Sequence, residues 1–319
     1  MATLVHSSWH FPPWLYRGTV LVTAICTVVL YIFLVIGTSI GVYRYQNRTI
    51  TTTLTERLFP YPAAIVDGTV IPLERVRLQS DALMTYALFH GQPANRADIQ
   101  IVVVGQIINR LLYKNDLEKH GITITQQAIN SQLTTITASA GGADKLSSYL
   151  FTEYGPTMDT NNFGDWIVRD SLAEAAVQYQ LLTRVTLRHI LVAVASDAPP
   201  TAASDAKVKL TGIKARITTP DQFASLANQF SDDIASKDKG GLLGTTGRGT
   251  DLAQYSPEFE RAAFSLAPGS VSEPIRTTYG WELLLVEKRE GSIDMSFADY
   301  TAQLRAHAHI HEFLHGAAH

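Results

Sequence analysis

Cysteine is nearly absent from this chain of 319 residues, and Cys26 is the single example. One thiol cannot build a disulfide framework or a cysteine-based zinc site, so the sequence excludes both. Charged residues are also scarce, at 17% of the chain, where typical soluble domains have roughly 25%. This composition disfavours a zinc finger and a soluble cytosolic enzyme.

Charge of neither sign dominates the sequence. The 26 Lys and Arg residues against 29 Asp and Glu residues give a net charge of −3, and the basic residues form no run. A protein whose main partner is nucleic acid needs a basic patch that neutralises phosphates. Nucleic acid is therefore not expected as a partner.

Only one long hydrophobic run is present, from Gly18 to Tyr43, and it contains no charged side chain. As a helix it would be about 39 Å long, enough to cross a hydrocarbon core of ~30 Å. The sequence therefore predicts an N-terminal tail over residues 1–17 and a transmembrane anchor over residues 18–43 that contacts the lipid bilayer. The alternative is signal-peptide cleavage at the small residues 37–39, although cleaved signal peptides have shorter apolar regions.

The rest of the chain changes from mainly helical patterns to mixed strand and helix patterns, which predicts more than one domain. The predicted fold class is α+β, with the N-terminal transmembrane helix, a mainly helical domain and a small α/β domain. The predicted segments are a polar linker at 44–60, the helical domain at 61–183, the α/β domain at 184–290 and a C-terminal helix at 291–319.

Local patterns predict the main elements of these domains. The Asp67-Gly68 pair between two β-prone runs predicts a hairpin. Apolar residues at intervals of three and four predict a helix from Ala97 to His120. We expect a flexible connection at 195–204, a glycine-rich loop at 240–249 and a last helix from Phe297 to His315.

Short sequence blocks follow one another in register between residues 186 and 289. They are Arg188-His189-Ile190-Leu191-Val192, Phe223-Ala224-Ser225-Leu226-Ala227, Phe230-Ser231-Asp232-Asp233, Gly240-Gly241-Leu242-Leu243-Gly244, Pro257-Glu258-Phe259-Glu260-Arg261, and Thr277-Thr278-Tyr279-Gly280-Trp281-Glu282. Together they resemble a parvulin-type peptidyl-prolyl cis-trans isomerase, which implies that fold for residues 184–290.

The flanking segments extend the resemblance over about residues 61–315. Ala64-Ile65-Val66-Asp67-Gly68 and Asn109-Arg110-Leu111-Leu112-Tyr113 are similar to parts of the chaperone domain in the SurA/PrsA/PpiD-like extracytoplasmic foldase group. In that group a helix after the isomerase domain completes the chaperone domain. The resemblance assigns this role to the C-terminal segment 291–319.

Isomerisation of an X–Pro bond makes and breaks no covalent bond. The catalyst has to bind the twisted amide better than either planar form, which calls for an apolar slot for the proline ring and polar groups at the amide. The resemblance implies that the slot includes Leu243 and Phe259. It places a third wall residue, usually Met in the family, at Tyr255 if residues 250–254 contain an insertion, and at Leu252 otherwise.

The resemblance also implies the polar part of the site. His189 matches the first histidine of the family's hydrogen-bond network, Asp233 the position that faces the substrate amide, and Thr277 the bridging threonine. Glu282 departs from the pattern, because many active parvulins have a second histidine there. A carboxylate at this position could accept a hydrogen bond from His189 or Thr277 and would favour a protonated imidazole. It is equally compatible with a domain that binds proline segments and turns over slowly.

Histidines are concentrated at the C-terminus, where His307, His311 and His315 follow at intervals of four. On one helix this spacing is compatible with a transition-metal site. Glu312 is the only carboxylate near them in sequence, so we predict solvated polar residues, no metal and no other cofactor.

The predicted function is a membrane-anchored extracytoplasmic foldase that isomerises X–Pro bonds in exported proteins. Its partners would be unfolded or nascent exported polypeptides, with residues 44–319 outside a cell membrane that the chain crosses once. The arginines after the apolar run favour the opposite orientation by the positive-inside rule. Two alternatives remain: a chaperone or peptide-binding protein with a catalytically weak or inactive parvulin domain, and a membrane scaffold with neither activity.

Overall fold

The computed structural model describes residues 37–39, 61–195 and 197–314. They belong to two compact units. The terminal unit joins the chain up to Ile107 with the residues from Ile310 onward, and the central unit comprises Ile108–His309.

The described helices and strands follow the chain in this order. The strands are β1 (Pro62–Val66), β2 (Thr69–Pro72), β3 (Arg184–Ala193), β4 (Leu242–Gly247), β5 (Ile275–Arg276), β6 (Gly280–Glu290) and β7 (Ile310–Glu312). The helices are α1 (Leu73–Phe89), α2 (Arg96–Lys119), α3 (Gln126–Ser139), α4 (Ala143–Tyr154), α5 (Thr160–Phe163), α6 (Arg169–Ala176), α7 (Pro200–Lys214), α8 (Pro220–Phe230), α9 (Ile234–Lys237), α10 (Pro257–Ser265) and α11 (Phe297–His307). Two π-helical segments, Gly164–Val168 and Val177–Leu181, follow α5 and α6, and a 3₁₀ turn covers Asp251–Gln254.

The terminal unit contains a three-stranded sheet in the order β2-β1-β7. The predicted hairpin is confirmed: Asp67 and Gly68 connect β1 to β2 with φ angles of 47° and 81°. Two successive positive φ angles are typical of the two-residue turn that matches strand twist, and Asp-Gly adopts it readily. The antiparallel partner on the other side of β1 is β7.

A helical part of the central unit surrounds a core of its own. The side chains of Tyr113 and Leu117 on α2 pack with Val177 and with Tyr300 on α11. The helix α3 begins at a threonine cap, because the Thr125 hydroxyl accepts a hydrogen bond from the Ala128 N–H.

A four-stranded antiparallel sheet in the order β4-β3-β6-β5 forms the rest of the central unit. One apolar layer joins the sheet to α7 and α8, and Phe223 is fully buried in it. A second layer joins the sheet to α10, with Phe259 and Phe264 against Leu187 and Leu284. Helices cover both faces of the sheet, which makes β3 and β6 the most buried strands of the unit and the rigid frame of the site.

The transmembrane helix of the predicted fold class is corrected. No helix in the described residues combines the length and apolar character that a membrane span needs. Of the predicted segment 18–43, only 37–39 are described, as helix, and the remainder, like the tail 1–17 and linker 44–60, lies outside the described residues. The described residues form a mixed α+β fold.

Three element predictions are wrong. The stretch 195–204 is not wholly a connection, because α7 begins at Pro200, whose fixed φ suits the first turn of a helix. The glycine-rich stretch contains β4, held by its pairing with β3. The last helix ends at His307, and the following residues form β7 because they pair with β1.

Candidate active site

Strands β3 and β6 bring the first two predicted polar residues together. His189 lies opposite Leu284 and Glu282 lies opposite Leu191 in the antiparallel ladder. The two side chains therefore project from the same face as diagonal neighbours, which is within reach of long polar side chains. His189 is 2% exposed and Glu282 is fully buried, so any charge on either needs a partner.

Hydrogen bonds supply those partners in a continuous chain. The distance from His189 Nδ1 to Glu282 Oε2 is 2.6 Å. The other oxygen, Glu282 Oε1, accepts a hydrogen bond from the Thr277 hydroxyl at 2.6 Å. Thr277 Oγ1 in turn accepts from the Tyr279 backbone N–H at 3.3 Å. The Glu282 carboxylate thus binds both His189 and Thr277.

The second nitrogen of His189 faces the helix α9. His189 Nε2 lies 2.9 Å from Asp233 Oδ2 and 3.0 Å from Ser236 Oγ. The Ser236 hydroxyl also donates to Asp233 Oδ2. Asp233 caps α9 by accepting from the Ala235 N–H at 3.2 Å. The imidazole is therefore fixed at both ends, between one buried and one partly exposed carboxylate.

The surroundings of His189 favour its protonated form. Burial by itself lowers the pKa of a histidine, and this is the largest single effect here. The hydrogen bonds and negative charges of Glu282 and Asp233 outweigh it, so the pKa of His189 is raised above its ordinary value of 6.5. For Asp233, partial burial opposes ionisation, but hydrogen bonds from Ser236 and His189 and the charge of His189 leave its pKa below 3.8.

An aromatic row adjoins this polar group. The Tyr255 ring lies edge-on to His189 with 6.0 Å between centroids, and it stacks on Phe259 at 4.5 Å. Tyr279, 46% exposed, lies near the Tyr255 ring with 5.5 Å between the ring centroids. Of the two candidates for the third wall position, Tyr255 is therefore the one beside the histidine. Leu252 is 3% exposed and packs in the apolar core that contains Phe259.

The two other predicted wall residues lie in the same apolar layer. Leu243 is partly buried and packs against the group that contains Phe259. Phe259 is itself fully buried and is covered on one face by Tyr255. Tyr255 thus lies between Phe259 and His189, and Leu243 belongs to the same apolar cluster as Phe259.

The metal prediction concerned the C-terminal histidines. His307 ends α11 and His311 lies on β7, so they share no helical face, and His315 lies outside the described residues. Within the described part of the chain, no group of three His, Cys, Asp or Glu side chains is arranged to hold a metal ion.

Ser236 and Tyr279 belong to the site but were not predicted from the sequence. Tyr279 stands next to Thr278 in a recognised block, and its exposure on a turn gave no local signal. Ser236 follows Asp233 by one helical turn, where side chains meet. That spacing would have indicated Ser236 had α9 been expected after the aspartate cap.

Comparison with known proteins defines the class of this domain. Residues 189–288 match the family model of the PPIC-type PPIase domain, the rotamase family. The chain therefore contains a parvulin-type peptidyl-prolyl isomerase domain, and both strands that carry His189 and Glu282 lie within it.

The relatives are chaperones and foldases. The chain is 37% identical over 121 residues to the chaperone SurA of Nitrosococcus oceani, covering 38% of this chain and 27% of that protein. It is 42% identical over 79 residues to the foldase protein PrsA 3 of Bacillus cereus, covering 24% of this chain and 26% of that protein. The matched part thus spans about a quarter of these relatives. The chain resembles SurA/PrsA-like parvulin foldases.

A solved structure of PrsA from Bacillus anthracis is 19% identical to this chain. The alignment covers 64% of this chain and 85% of that one, with a TM-score of 0.29. This score is too low to compare the arrangement of the two molecules.

Proposed function

We propose that the chain is a foldase that isomerises X–Pro bonds in unfolded polypeptides outside the cytoplasm. The observation that carries the proposal is the imidazole of His189, held by Glu282 and Asp233 next to the Tyr255–Phe259 stack. The three polar side chains would supply the polar group that the reaction needs, and the aromatic stack would supply the apolar wall, both inside a PPIC-type domain. The names of the SurA and PrsA relatives support a foldase or chaperone role.

Asp233 is the group proposed to act on the amide. Its side chain is 23% exposed, and its lowered pKa keeps it ionised at neutral pH. A planar amide places partial negative charge on its carbonyl oxygen through resonance, and the twisted amide loses that charge. A fixed carboxylate beside the oxygen therefore destabilises the planar forms relative to the transition state, which lowers the barrier.

His189, Glu282, Thr277 and Ser236 act as positioning residues in this proposal. Both ring nitrogens of His189 are engaged, so the imidazole orients Asp233 and is not free to act as a general base. Tyr255 and Leu243 would contact the pyrrolidine ring, with Phe259 supporting Tyr255 from below.

The test is a protease-coupled isomerisation assay on the full chain with a proline-containing peptide. Asp233→Asn should lower kcat/KM at least about tenfold, which corresponds to ~1.4 kcal/mol of transition-state stabilisation. Arg261→Gln, on an exposed side chain of α10, is the matched control and should leave the rate unchanged. A wild-type rate equal to the uncatalysed rate would refute isomerase activity.

The second candidate function is peptide binding with little turnover. Two observations favour it: Glu282 stands where many active parvulins have histidine, and Tyr255 covers Phe259 where the family usually has methionine. Under this alternative, Glu282→His and Tyr255→Met should raise a low wild-type rate, while suppression of client aggregation stays unchanged. If both variants lower the rate, the existing residues are the active ones.

Localisation and clients follow from the relatives and belong to the proposal. We place the described units outside the cytoplasm, where unfolded exported chains occur. Protease added to intact cells, after permeabilisation of any outer membrane, should cleave the chain. Full protection that is lost only on cell lysis would contradict this location.

A further inference from the structure

A cavity that includes none of the proposed isomerase residues lies in the central unit. It has a volume of about 170 Å³, comparable to the ~150 Å³ that accommodates a benzene-sized molecule. It is lined by residues from four places: the end of the helical segment after α6, the start of β3, the end of β4 and the start of α11. None of its lining residues belongs to the proposed isomerase site.

The chemistry of the lining is that of an anion site with an apolar floor. The lining contains two arginines, Arg184 and Arg248, and no Asp or Glu. Leu182, Met295 and Phe297 supply the apolar surface. A ligand that combines one negative group with a short apolar stem would match both parts.

Arg184 is the cation that is available to a ligand. Its guanidinium lies over the Tyr179 ring, 4.2 Å from the centroid, and within the described part of the chain it makes no hydrogen bond or ion pair. Glu290 faces it across the β3–β6 ladder and accepts a hydrogen bond from Lys288 Nζ at 2.5 Å. That hydrogen bond, the charge of Lys288 and, more weakly, the charge of Arg184 lower the pKa of Glu290. Stacking holds the guanidinium plane while its N–H donors stay open for a carboxylate.

Arg248 differs from Arg184, because it already forms an ion pair. Its Nε and Nη2 bind Asp294 at 2.5 and 3.0 Å, and it lies over the Phe264 ring. Two polar neighbours of Arg184 add free hydrogen-bonding groups: in the described residues, the side chains of Gln178 and Thr183 form no hydrogen bond. Thr183 lines the cavity although the residue as a whole is only 3% exposed.

An extended polypeptide can reach this cavity. Thr245, Thr246 and Gly247 line it, and they belong to β4, which stands at one end of the described sheet order. The outer backbone groups of such a strand are able to pair with an added strand. A peptide aligned along β4 would bring a side chain to Arg184.

We propose that this cavity binds an acidic side chain of a client polypeptide, with the carboxylate on Arg184 and its stem against Leu182 and Met295. The identity of the partner as a client rests on the proposed function. The site would add a preference for acidic segments at a distance from the X–Pro bond.

Fluorescence anisotropy with the full chain tests this inference. The probes are a short proline-free peptide with a glutamate between leucines and the same peptide with glutamine. At low salt the wild type should bind the glutamate peptide at least about tenfold more tightly. Arg184→Gln should equalise the two affinities, Arg184→Lys should retain part of the difference because it keeps the charge, and Lys209→Gln, on the exposed side of α7, should retain all of it.

Competition with free acetate separates a carboxylate-only site from a peptide site. Displacement by acetate at the peptide's own concentration, equal affinities of the two peptides in the wild type, or an unchanged preference in Arg184→Gln would each overturn the inference. If Arg184→Gln does not fold, Tyr179→Leu, which removes the stacking platform, should weaken the preference instead.

The isomerase assay distinguishes this failure from failure of the proposed function. Arg184→Gln should isomerise a proline peptide without acidic residues at the wild-type rate. An inactive wild type that still prefers the glutamate peptide would refute the isomerase activity and leave the acidic-segment site standing.

Discussion

At the scale of single residues, the site depends on a buried imidazole whose charge is set by two carboxylates. Isolated in the protein interior, His189 would lose its proton, because burial disfavours the charged form. Glu282 reverses this by accepting at 2.6 Å, with Asp233 on the other nitrogen. Glu282 therefore helps to set the protonation state of His189.

This arrangement makes the pKa of His189 the first measurable prediction. We expect NMR titration of the full chain to give a pKa above 6.5 for His189, and a lower value in Glu282→Gln, because the amide carries no charge. A pKa for His189 below 6.5 in the wild type would show that burial dominates.

The sign of the pH effect on stability follows from the same shift. A group whose pKa is raised on folding contributes stability that is complete below its unfolded value, near 6.5, and is lost as pH rises through the folded value. Asp233 has the opposite sign, since its contribution is present above 3.8 and is lost as pH falls through its lowered pKa. Urea unfolding between these limits should show the highest free energy of unfolding, and Glu282→Gln should flatten the alkaline side.

The individual residues of the site could be predicted from the sequence, but the way they pack against one another could not. His189, Asp233, Thr277 and Glu282 were named from the sequence, and the structure brings them into one hydrogen-bonded group, although their roles stay predictions. The position of Tyr255 over Phe259 could not be predicted, since it depends on how residues 250–254 pack.

At the scale of elements, the backbone just before β4 passes close to His189 on β3. Gly241 has a φ angle of 77°, and its carbonyl accepts a hydrogen bond from the His189 N–H at 2.8 Å. A Cβ atom at this position would lie 2.1 Å from the His189 carbonyl oxygen. Only glycine lets the chain pass the histidine at this distance.

Replacement of this glycine is the element-scale prediction. Gly241→Ala should lower the free energy of unfolding by about 3 kcal/mol or more, from backbone strain of ~1–2 kcal/mol plus the overlap with His189. Gly244→Ala is the matched control, because Gly244 also has a positive φ but has free space around it. Urea unfolding of both variants checks the difference, and equal losses would show that the contact with His189 is not limiting.

The elements that the sequence missed are held by partners distant along the chain. β4 contains two glycines and two threonines, so its local pattern resembles a loop, and pairing with β3 makes it a strand. The sequence pattern of α11 continues into β7 without a change in polarity. The residues of β7 form a strand because they pair with β1. The helix α2 was predicted because its apolar spacing is local.

At the scale of the whole molecule, the described ends of the chain share one sheet. β7 pairs with β1 through Ile310 opposite Val66 and His311 opposite Ile65, and the Phe313 N–H donates to the Ala63 carbonyl at 2.9 Å. The isomerase residues belong to the other compact unit, Ile108–His309. Residues from Ile310 onward should therefore support the terminal unit and be dispensable for the reaction.

Truncation after His309 tests this division of labour. We expect hydrogen exchange of the β1 amides to accelerate by at least about tenfold, corresponding to ~1.4 kcal/mol of lost local stability, because β1 becomes an edge strand. Exchange in β3 and β6, the NMR pKa of His189 and the isomerisation rate should keep their wild-type values. His311→Pro should act like the truncation on β1, since proline cannot donate to the ladder. If either change also shifted the pKa of His189, the C-terminal strand would be contributing to the isomerase site, and the two units could not be treated as independent.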